Sequence, residues 1–311
     1  MKTYAITGVA GYVGGLLAEK LAAMDGARVI GIDIAPPPQA GAVAFHVCDI
    51  RDPQLSELLA AEAVDVLIHL AFYTHPEGDP RVAEAVNVDG TAAVLRAAAS
   101  AGIDRVVLVS SAAAYGSHAD NPVPMSEECA LRPNRDFYYS WHKARQEDLA
   151  HAFAQAHPEV KTIILRPCAL IGPHINNPTG DSLRQKLFIY IRGNTAPIQF
   201  IHEDDAVEAF RLAATGEADG IFNIAAEGTV TYPELARIMG KRLLVLPYWL
   251  LAALASLGKA LGVSPVSART LRFIRHPIVV DGGRFRRVFG FQPRFDTLHS
   301  VTDFAASLHQ H

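Results

Sequence analysis

Lys2-Thr3-Tyr4-Ala5-Ile6-Thr7-Gly8-Val9-Ala10-Gly11-Tyr12-Val13-Gly14 opens the chain almost from its first residue, and its reading decides the fold. Lys2 to Thr7 has the composition of a short buried strand. A helical pattern runs on to about Met24, with Val13, Leu16, Leu17, Leu21 and Met24 on one face. Between them glycine recurs three times, at Gly8, Gly11 and Gly14. A tight turn, close approach of a pyrophosphate to backbone N–H groups, and packing of helix on strand each require the smallest residue. The spacing is G-x-x-G-x-x-G, one residue longer at its start than the common dinucleotide fingerprint. A glycine triplet can mark a mere turn. Following a strand and opening a helix, this one predicts a pyrophosphate at the positive helix end, beside Tyr12 and Val13.

A second strand, Arg28 to Ile32, ends on Asp33, nineteen residues past Gly14. A carboxylate there can accept both hydroxyls of an adenosine ribose, and it repels a 2′-phosphate. Ile34, Ala35 and Pro36 offer no arginine for that phosphate, so NAD is expected rather than NADP. As a plain strand-end residue Asp33 would only shape a turn.

Outward from this start, strands and helices alternate. A third strand lies near Val43 to Val47 and ends at Cys48-Asp49. Asp52 is placed to cap, and Pro53 to open, a helix running to about Ala61. Val64 to Leu70 reads as a strand, Pro80 to Ala101 as an alanine-rich helix, and Arg105 to Val109 as a strand. Tyr139 to about Ala156 follows as a helix and Lys161 to Leu165 as a strand. Alternation with continuously apolar strands predicts an α/β fold with a doubly wound parallel sheet, a Rossmann domain. Its ligand crevice lies at the carboxyl ends of the strands, where Gly8, Asp33, Asp49, Leu70 and Ser110-Ser111 fall. The expected division is a nucleotide-binding domain over 1–170, to which 199–226 returns, and a smaller substrate-binding region from 171–198 and 227–311.

Tyr138-Tyr139-Ser140-Trp141-His142-Lys143 carries the chemistry. Tyr139 and Lys143 stand one helical turn apart. An ammonium beside a phenol favours the phenolate and draws the tyrosine down from about 10, making a proton shuttle for an alcohol or ketone. Tyr138 faces His142 at the same spacing, but a histidine supplies no permanent charge, so Tyr139 is the expected acid/base.

Composition excludes other classes. Of 311 residues 19% are charged, the net charge is −4, and no basic run suggests a nucleic acid or an anionic membrane. Cys48, Cys129 and Cys168 are too scattered for a disulfide framework or a zinc site, so no metal is expected. The opening goes straight into strand and loop, without the pattern of a signal peptide. The apolar stretch Tyr248 to Leu261 is shorter than the roughly 20 residues of a membrane span, and reads as a buried or substrate-covering helix. A cytoplasmic enzyme with a small-molecule substrate is the expectation.

With these residues in view, the chain resembles the extended short-chain dehydrogenase/reductase family, and within it the NAD-dependent epimerase/dehydratase group. The likeness covers nearly the whole chain. It rests on the glycine loop, Asp49-Ile50, His69-Leu70-Ala71, Asn87-Val88-Asp89-Gly90-Thr91, and Val109-Ser110-Ser111 up to Tyr115-Gly116. It continues through Tyr139-x-x-x-Lys143, Leu165-Arg166-Pro167, Phe200-Ile201-His202-Glu203-Asp204-Asp205 and Phe289-Gly290-Phe291-Gln292-Pro293. The resemblance implies that Asp49 and Ile50 contact adenine, that Leu70, Ala71 and Pro167 line the cofactor, and that Asn87 lies towards the nicotinamide. It implies catalysis by Ser111, Tyr139 and Lys143, with Lys143 also bonding the nicotinamide ribose. Ser111 could otherwise be a strand-end serine that caps backbone. His75, His118 and His174 lie in loops and read as surface histidines.

Departures from the family narrow the chemistry. Its dehydratases carry an acidic pair after the catalytic Ser/Thr, where this chain has Ala112 and Ala113, so dehydration is not expected. Nucleotide-sugar members usually have an asparagine where Ala169 stands and an arginine where Ile198 stands. Arg184, Lys186, Arg192, Arg272 and Arg275 could bind a diphosphate instead, and which of them point inward is open. Three readings follow: an NAD-dependent oxidoreductase of a secondary alcohol or ketone, a nucleotide-sugar epimerase such as a UDP-sugar 4-epimerase with tightly held NAD, and a non-catalytic NAD-binding regulator. The family likeness also implies a homodimer, with Val82, Ala85, Val86, Ala93, Ala97, Ala150, Phe153 and Ala154 available where two helices would meet their copies.

Overall fold

The computed structural model describes residues 1–36, 43–74, 78–260, 268–276 and 278–308. Its first half alternates β1 (Lys2–Thr7), α1 (Tyr12–Ala22), β2 (Ala27–Asp33), β3 (Ala44–Val47), α2 (Leu55–Ala61) and β4 (Val66–His69). Next come α3 (Pro80–Glu84), a π turn (Ala85–Asp89), α4 (Gly90–Ser100), β5 (Arg105–Val109), a 3₁₀ turn (Ala112–Tyr115), α5 (Tyr138–Ala156) and β6 (Lys161–Pro167). Beyond these lie β7 (Ala169–Ile171), α6 (Pro178–Arg184), β8 (Leu187–Ile191), β9 (Phe200–His202), α7 (Glu203–Thr215) and β10 (Gly220–Ile224). The chain closes with α8 (Tyr232–Ile238), β11 (Arg242–Leu246), α9 (Tyr248–Ala260), α10 (Ala268–Arg275), α11 (Gly283–Phe289) and α12 (Thr297–Ser307).

Seven strands form one sheet in the order β10-β6-β5-β4-β1-β2-β3. Every pairing in it is parallel, which confirms the doubly wound α/β fold. Sequence order reverses between β1 and β4, so the ligand crevice of such a sheet opens at their carboxyl ends. Parallel strands covered on both faces must be apolar throughout. Val66, Leu67, Ile68, Val106, Val107 and Leu108 are accordingly inaccessible to solvent. One face packs on α1 and α7 through Leu17, Leu21 and Phe210, and the other on α2 and α4 through Leu55, Leu59 and Val94. Burying each such aliphatic side chain contributes about 1.5–3 kcal/mol.

Several expected boundaries move. The second helix starts at Leu55, because Asp52 turns its carboxylate onto the Gln54 amide (2.9 Å) and leaves Asp52-Pro53 in a turn. The helix expected over Pro80 to Ala101 is broken by the π turn at Ala85–Asp89, the geometry often found at functional sites. Phe200–His202 pairs with Ala169–Ile171 in a separate two-stranded sheet, and β8 pairs with β11 in another. Tyr248–Ala260 is not a buried helix: Leu251 and Ala255 pack inward, but Trp249 is 70% exposed.

One expectation about assembly also changes. Ala97, Ala150 and Phe153, named for a dimer interface, are buried in the chain's own core. A helix in an α/β layer must first cover its own sheet, and these residues do that. Val82 is 42% exposed.

Candidate active site

Glycine at the start of the nucleotide loop is required by contact. Gly8 has φ +79°, and a Cβ there would lie 2.6 Å from the Ala71 nitrogen, just past the end of the neighbouring β4. A Cβ on Gly14 would come within 2.1 Å of the Gly8 carbonyl oxygen. The three glycines therefore let the loop, the first turn of α1 and the end of β4 close on one another at the switch point. Helix α1 starts at Gly11 with no side-chain cap, which leaves its first-turn amides open to an anion.

Asp33 ends β2 and accepts from the Ala10 amide at 3.0 Å and from the Ile34 amide at 2.7 Å. It thus ties the glycine loop to the second strand, a structural duty beside the one expected of it. Asp49 is turned onto Arg51 (2.6 Å), whose guanidinium holds its carboxyl below the usual range. Ile50 is buried and meets Gly90, where a Cβ would come within 2.7 Å of it. These groups, with Leu70, Ser111 and Pro167, follow the carboxyl edge of the sheet in strand order, a row that fits an extended dinucleotide.

At the centre of that edge three segments converge. Ser111 follows β5, Tyr139 and Lys143 stand on the first turns of α5, and Phe72 follows β4. Tyr139 faces Ser111, whose hydroxyl acts to lower the phenol. The Ser111 hydroxyl also accepts from the Ala113 amide at 3.1 Å, so this serine caps the 3₁₀ turn and reaches the phenol. Lys143 donates to the Val109 carbonyl at 2.8 Å and lies 4.1 Å from the centre of the Phe72 ring. Phe72 meets Tyr139 edge to face at 5.2 Å.

The expected fall in the Tyr139 pKa is not found. Burial pushes this phenol up, and the Ser111 hydroxyl opposes the rise. The physical reason is that Lys143 directs its ammonium at a carbonyl and is itself buried. Burial pulls Lys143 down to about 7, against the attraction of Glu147. Tyr138 is pushed up to about 12 by burial and its neighbouring phenols. Its i+4 partner His142 is engaged elsewhere: Nε2 lies 2.8 Å from Glu84, and Nδ1 lies 3.2 Å from the Asn87 side-chain nitrogen.

Asn87 occupies the π turn and is fully buried. It accepts from the Tyr73 amide at 2.6 Å and donates to the Tyr73 carbonyl at 3.2 Å. The turn thereby clamps the loop after β4 against the helix that carries Tyr139. Deeper still, His69 bridges Thr7 (2.7 Å) and Thr91 (2.9 Å), and burial lowers it to about 3, so it stays neutral.

Sequence reasoning missed Glu147 and its network. Glu147 stands one turn beyond Lys143, is fully buried and pairs with Arg166 at 2.6 Å. Arg166 donates to the Tyr115 hydroxyl (2.8 Å), which donates to Asn223 (2.9 Å). Ser110 donates to Glu147 from the strand end before Ser111. The available signal was the run Tyr139-x-x-x-Lys143-x-x-x-Glu147, which places a carboxylate on the lysine's face of the helix.

Tyr12 donates its hydroxyl to the buried carboxylate of Glu203, which also accepts from the His174 amide at 3.1 Å. His118 bonds the Arg132 carbonyl at 2.6 Å. His118 is thus engaged within its own loop and His174 by Glu203 at the start of α7, and His75 lies outside the described residues. Of the candidate diphosphate cations, Arg272 pairs with Asp136 (3.1 Å) and Arg184 donates to the Ile175 carbonyl (2.8 Å). Arg192 and Arg275 line a cleft of about 420 Å³ with Asn194, Thr195 and Tyr248. Ala119, on the segment leaving the Ser111 turn, forms part of its wall. Among the described residues no cluster of His, Cys, Asp or Glu could hold a metal.

A family model described as the NAD dependent epimerase/dehydratase family matches residues 4–225. An uncharacterised protein of Mycobacterium tuberculosis is 29% identical over 314 residues, covering 97% of this chain and 83% of the relative. UDP-glucose 4-epimerase 2 of Oryza sativa is 30% identical over 205 residues, covering 58% of this chain and 48% of the relative. Among solved structures, MoeE5 in complex with UDP-glucuronic acid and NAD is similar with TM-score 0.79 at 24% identity, over 99% of both chains.

Proposed function

This chain belongs to the NAD-dependent epimerase/dehydratase family, and from that premise we propose that it oxidises or reduces a secondary alcohol or ketone with Ser111, Tyr139 and Lys143. The observation that carries this reading is the convergence of Ser111, Tyr139 and Lys143 at the carboxyl edge of the sheet, with Lys143 held by the Val109 carbonyl and Phe72 packed on both the phenol and the ammonium. NAD supplies the hydride acceptor or donor when bound. The glycine loop and the open start of α1 hold its pyrophosphate, and Asp33 holds the adenosine ribose. Tyr139 takes the substrate hydroxyl proton on oxidation and returns it on reduction. Ser111 orients Tyr139 and shares the same substrate oxygen. Lys143, when protonated, favours the phenolate one turn away.

A second reading, a nucleotide-sugar epimerase, is favoured by the cleft that Arg192 and Arg275 line. Such cations would replace the donors missing at Ala169 and Ile198 for a diphosphate. Cofactor retention separates the two. NAD released from freshly purified, heat-denatured protein at one equivalent per chain supports the epimerase, which returns its own hydride; an apoprotein that turns over only with added NAD supports the dehydrogenase. An intact fold that binds NAD but turns over no alcohol, ketone or nucleotide sugar would favour a regulator instead. Homodimerisation through the exposed side of α3 and its neighbours is part of the proposal. Light scattering at micromolar concentration tests it against the 33.5 kDa chain mass.

A further inference from the structure

The chain-wide charge of −4 conceals a local excess of the other sign. From residue 235 to 280 there is no Asp or Glu. That stretch holds Arg237, Lys241 and Arg242 near its start and Lys259, Arg269, Arg272 and Arg275 further on. Much of the exposed apolar surface of the described residues gathers in the same place. β8 and β11 pair in a small sheet of their own, with Arg242 opposite Leu187 and Leu244 opposite Ile189. Residues two apart on a strand share a face, so Leu187, Ile189, Arg242 and Leu244 stand together, and all are exposed. The alternate position, Phe188, is buried in the core.

Helix α9 leaves β11 through Pro247 and packs Leu251 and Ala255 towards Ile191. Its other side presents Trp249, Leu254 and Leu257, the last two 50% and 57% exposed. At 3.6 residues per turn these three fall within one arc of roughly 140°. Scattered exposed leucines need no explanation, but an apolar sheet face beside an apolar helix face does. Asp136 neutralises Arg272; Lys241 and Arg242 are not paired with a carboxylate in the described residues and border the apolar sheet face.

We propose that this face docks on a bilayer surface containing anionic lipids. Trp249, Leu254 and Leu257 enter the headgroup boundary while Lys241 and Arg242 meet lipid phosphates. At 13 residues α9 is too short to cross a bilayer, and among the described residues no helix qualifies as a span, so the contact lies in the interface plane. The inference departs from the expectation drawn from overall charge, which averages the acidic nucleotide-binding part with this segment.

The test uses the full chain with vesicles of phosphatidylcholine alone or mixed with phosphatidylglycerol. Sedimentation with the mixed vesicles at low salt, reduced by about 10-fold or more at high salt, is the expected result. In a Trp141→Phe background, Trp249 emission should shift to the blue on binding. The Trp249→Ser/Leu254→Ser/Leu257→Ser variant should keep its melting temperature and lose binding, and Lys241→Gln/Arg242→Gln should weaken it. No binding at low salt, equal binding to both vesicles, or unchanged binding of the triple variant would overturn the proposal. So would a dimer without vesicles that the triple variant dissolves, since the face would then serve a second copy.

Discussion

The seven-stranded sheet and the 235–276 segment stand at opposite extremes of one chain. The central strands β4 and β5 are buried on both faces, and a buried charge pair lies behind the site. Glu147 and Arg166 are both buried, and each is satisfied by further side chains. In the later segment, β11 pairs with a single neighbour and α9 buries only one side. The first region has the contact density that fixes a single geometry, as a catalytic edge needs. The second leaves apolar surface in solvent, which a chain retains where that surface meets something else. Rigidity is concentrated where atoms must be held for chemistry, and adhesive surface where they need not be.

The sharpest way to break this contrast is to unbalance the buried pair. Glu147→Ala leaves Arg166 unpaired in the core and should cost about 3–5 kcal/mol of stability, read as a shift of the urea midpoint. A loss of under about 1 kcal/mol would mean that the network under the site adds little. Next in size is Tyr139→Phe. It removes the hydroxyl but not the ring against Phe72, so the fold and NAD binding should persist while turnover falls about 10²-fold or more. If Tyr138→Phe is the inactive variant and Tyr139→Phe is not, the choice between adjacent tyrosines is wrong. Their environments argue for Tyr139, since of the two phenols only this one is lowered by Ser111, while Tyr138 is pushed up to about 12.

A smaller effect is expected at the cofactor end. Asp33→Ala should weaken NAD by about 10-fold, the scale of one hydrogen bond to a charged group, and improve NADP relative to NAD. Because Asp33 also holds the Ala10 amide, part of the loss should fall on both cofactors. Titrating each against wild type and variant separates the two duties, and a wild type that prefers NADP removes the ribose assignment. Smallest is Leu254→Ala on the exposed side of α9, which should change stability by no more than about 0.5 kcal/mol. Ile68→Ala in β4 should cost about 2–5 kcal/mol. Equal losses at the two sites, measured by the same denaturant titration, would show that the later segment is packed as tightly as the sheet.

Much of the fold was legible because parallel strands buried on both faces announce themselves as apolar runs, and glycines pressed against backbone cannot be replaced. Lys2 to Thr7, Arg105 to Val109 and a strand within Val64 to Leu70 were readable in this way. One helical spacing made the stacking of Tyr139 on Lys143 legible, and one strand end the position of Ser111 at the crevice. Less readable were features set by partners far away in sequence. The π turn at Ala85–Asp89 follows from Asn87 reaching Tyr73 and His142. The separation of Phe200–His202 from the main sheet follows from its pairing with Ala169–Ile171.

By itself, then, the sequence determined the order of strands and helices, the glycine loop and the helical phase that stacks Tyr139, Lys143 and Glu147, since these depend on neighbours within a few residues. The tertiary structure alone decided the protonation of the site. Lys143 turned to the Val109 carbonyl and lost its water, so burial lowers the lysine and raises the tyrosine where spacing had promised a lowered phenol. It also decided which apolar residues the core takes: Ala97, Ala150 and Phe153 are claimed by the chain's own sheet, and Trp249, Leu254 and Leu257 are left outside. Solvation is set by everything that packs around a group, and no local spacing encodes it.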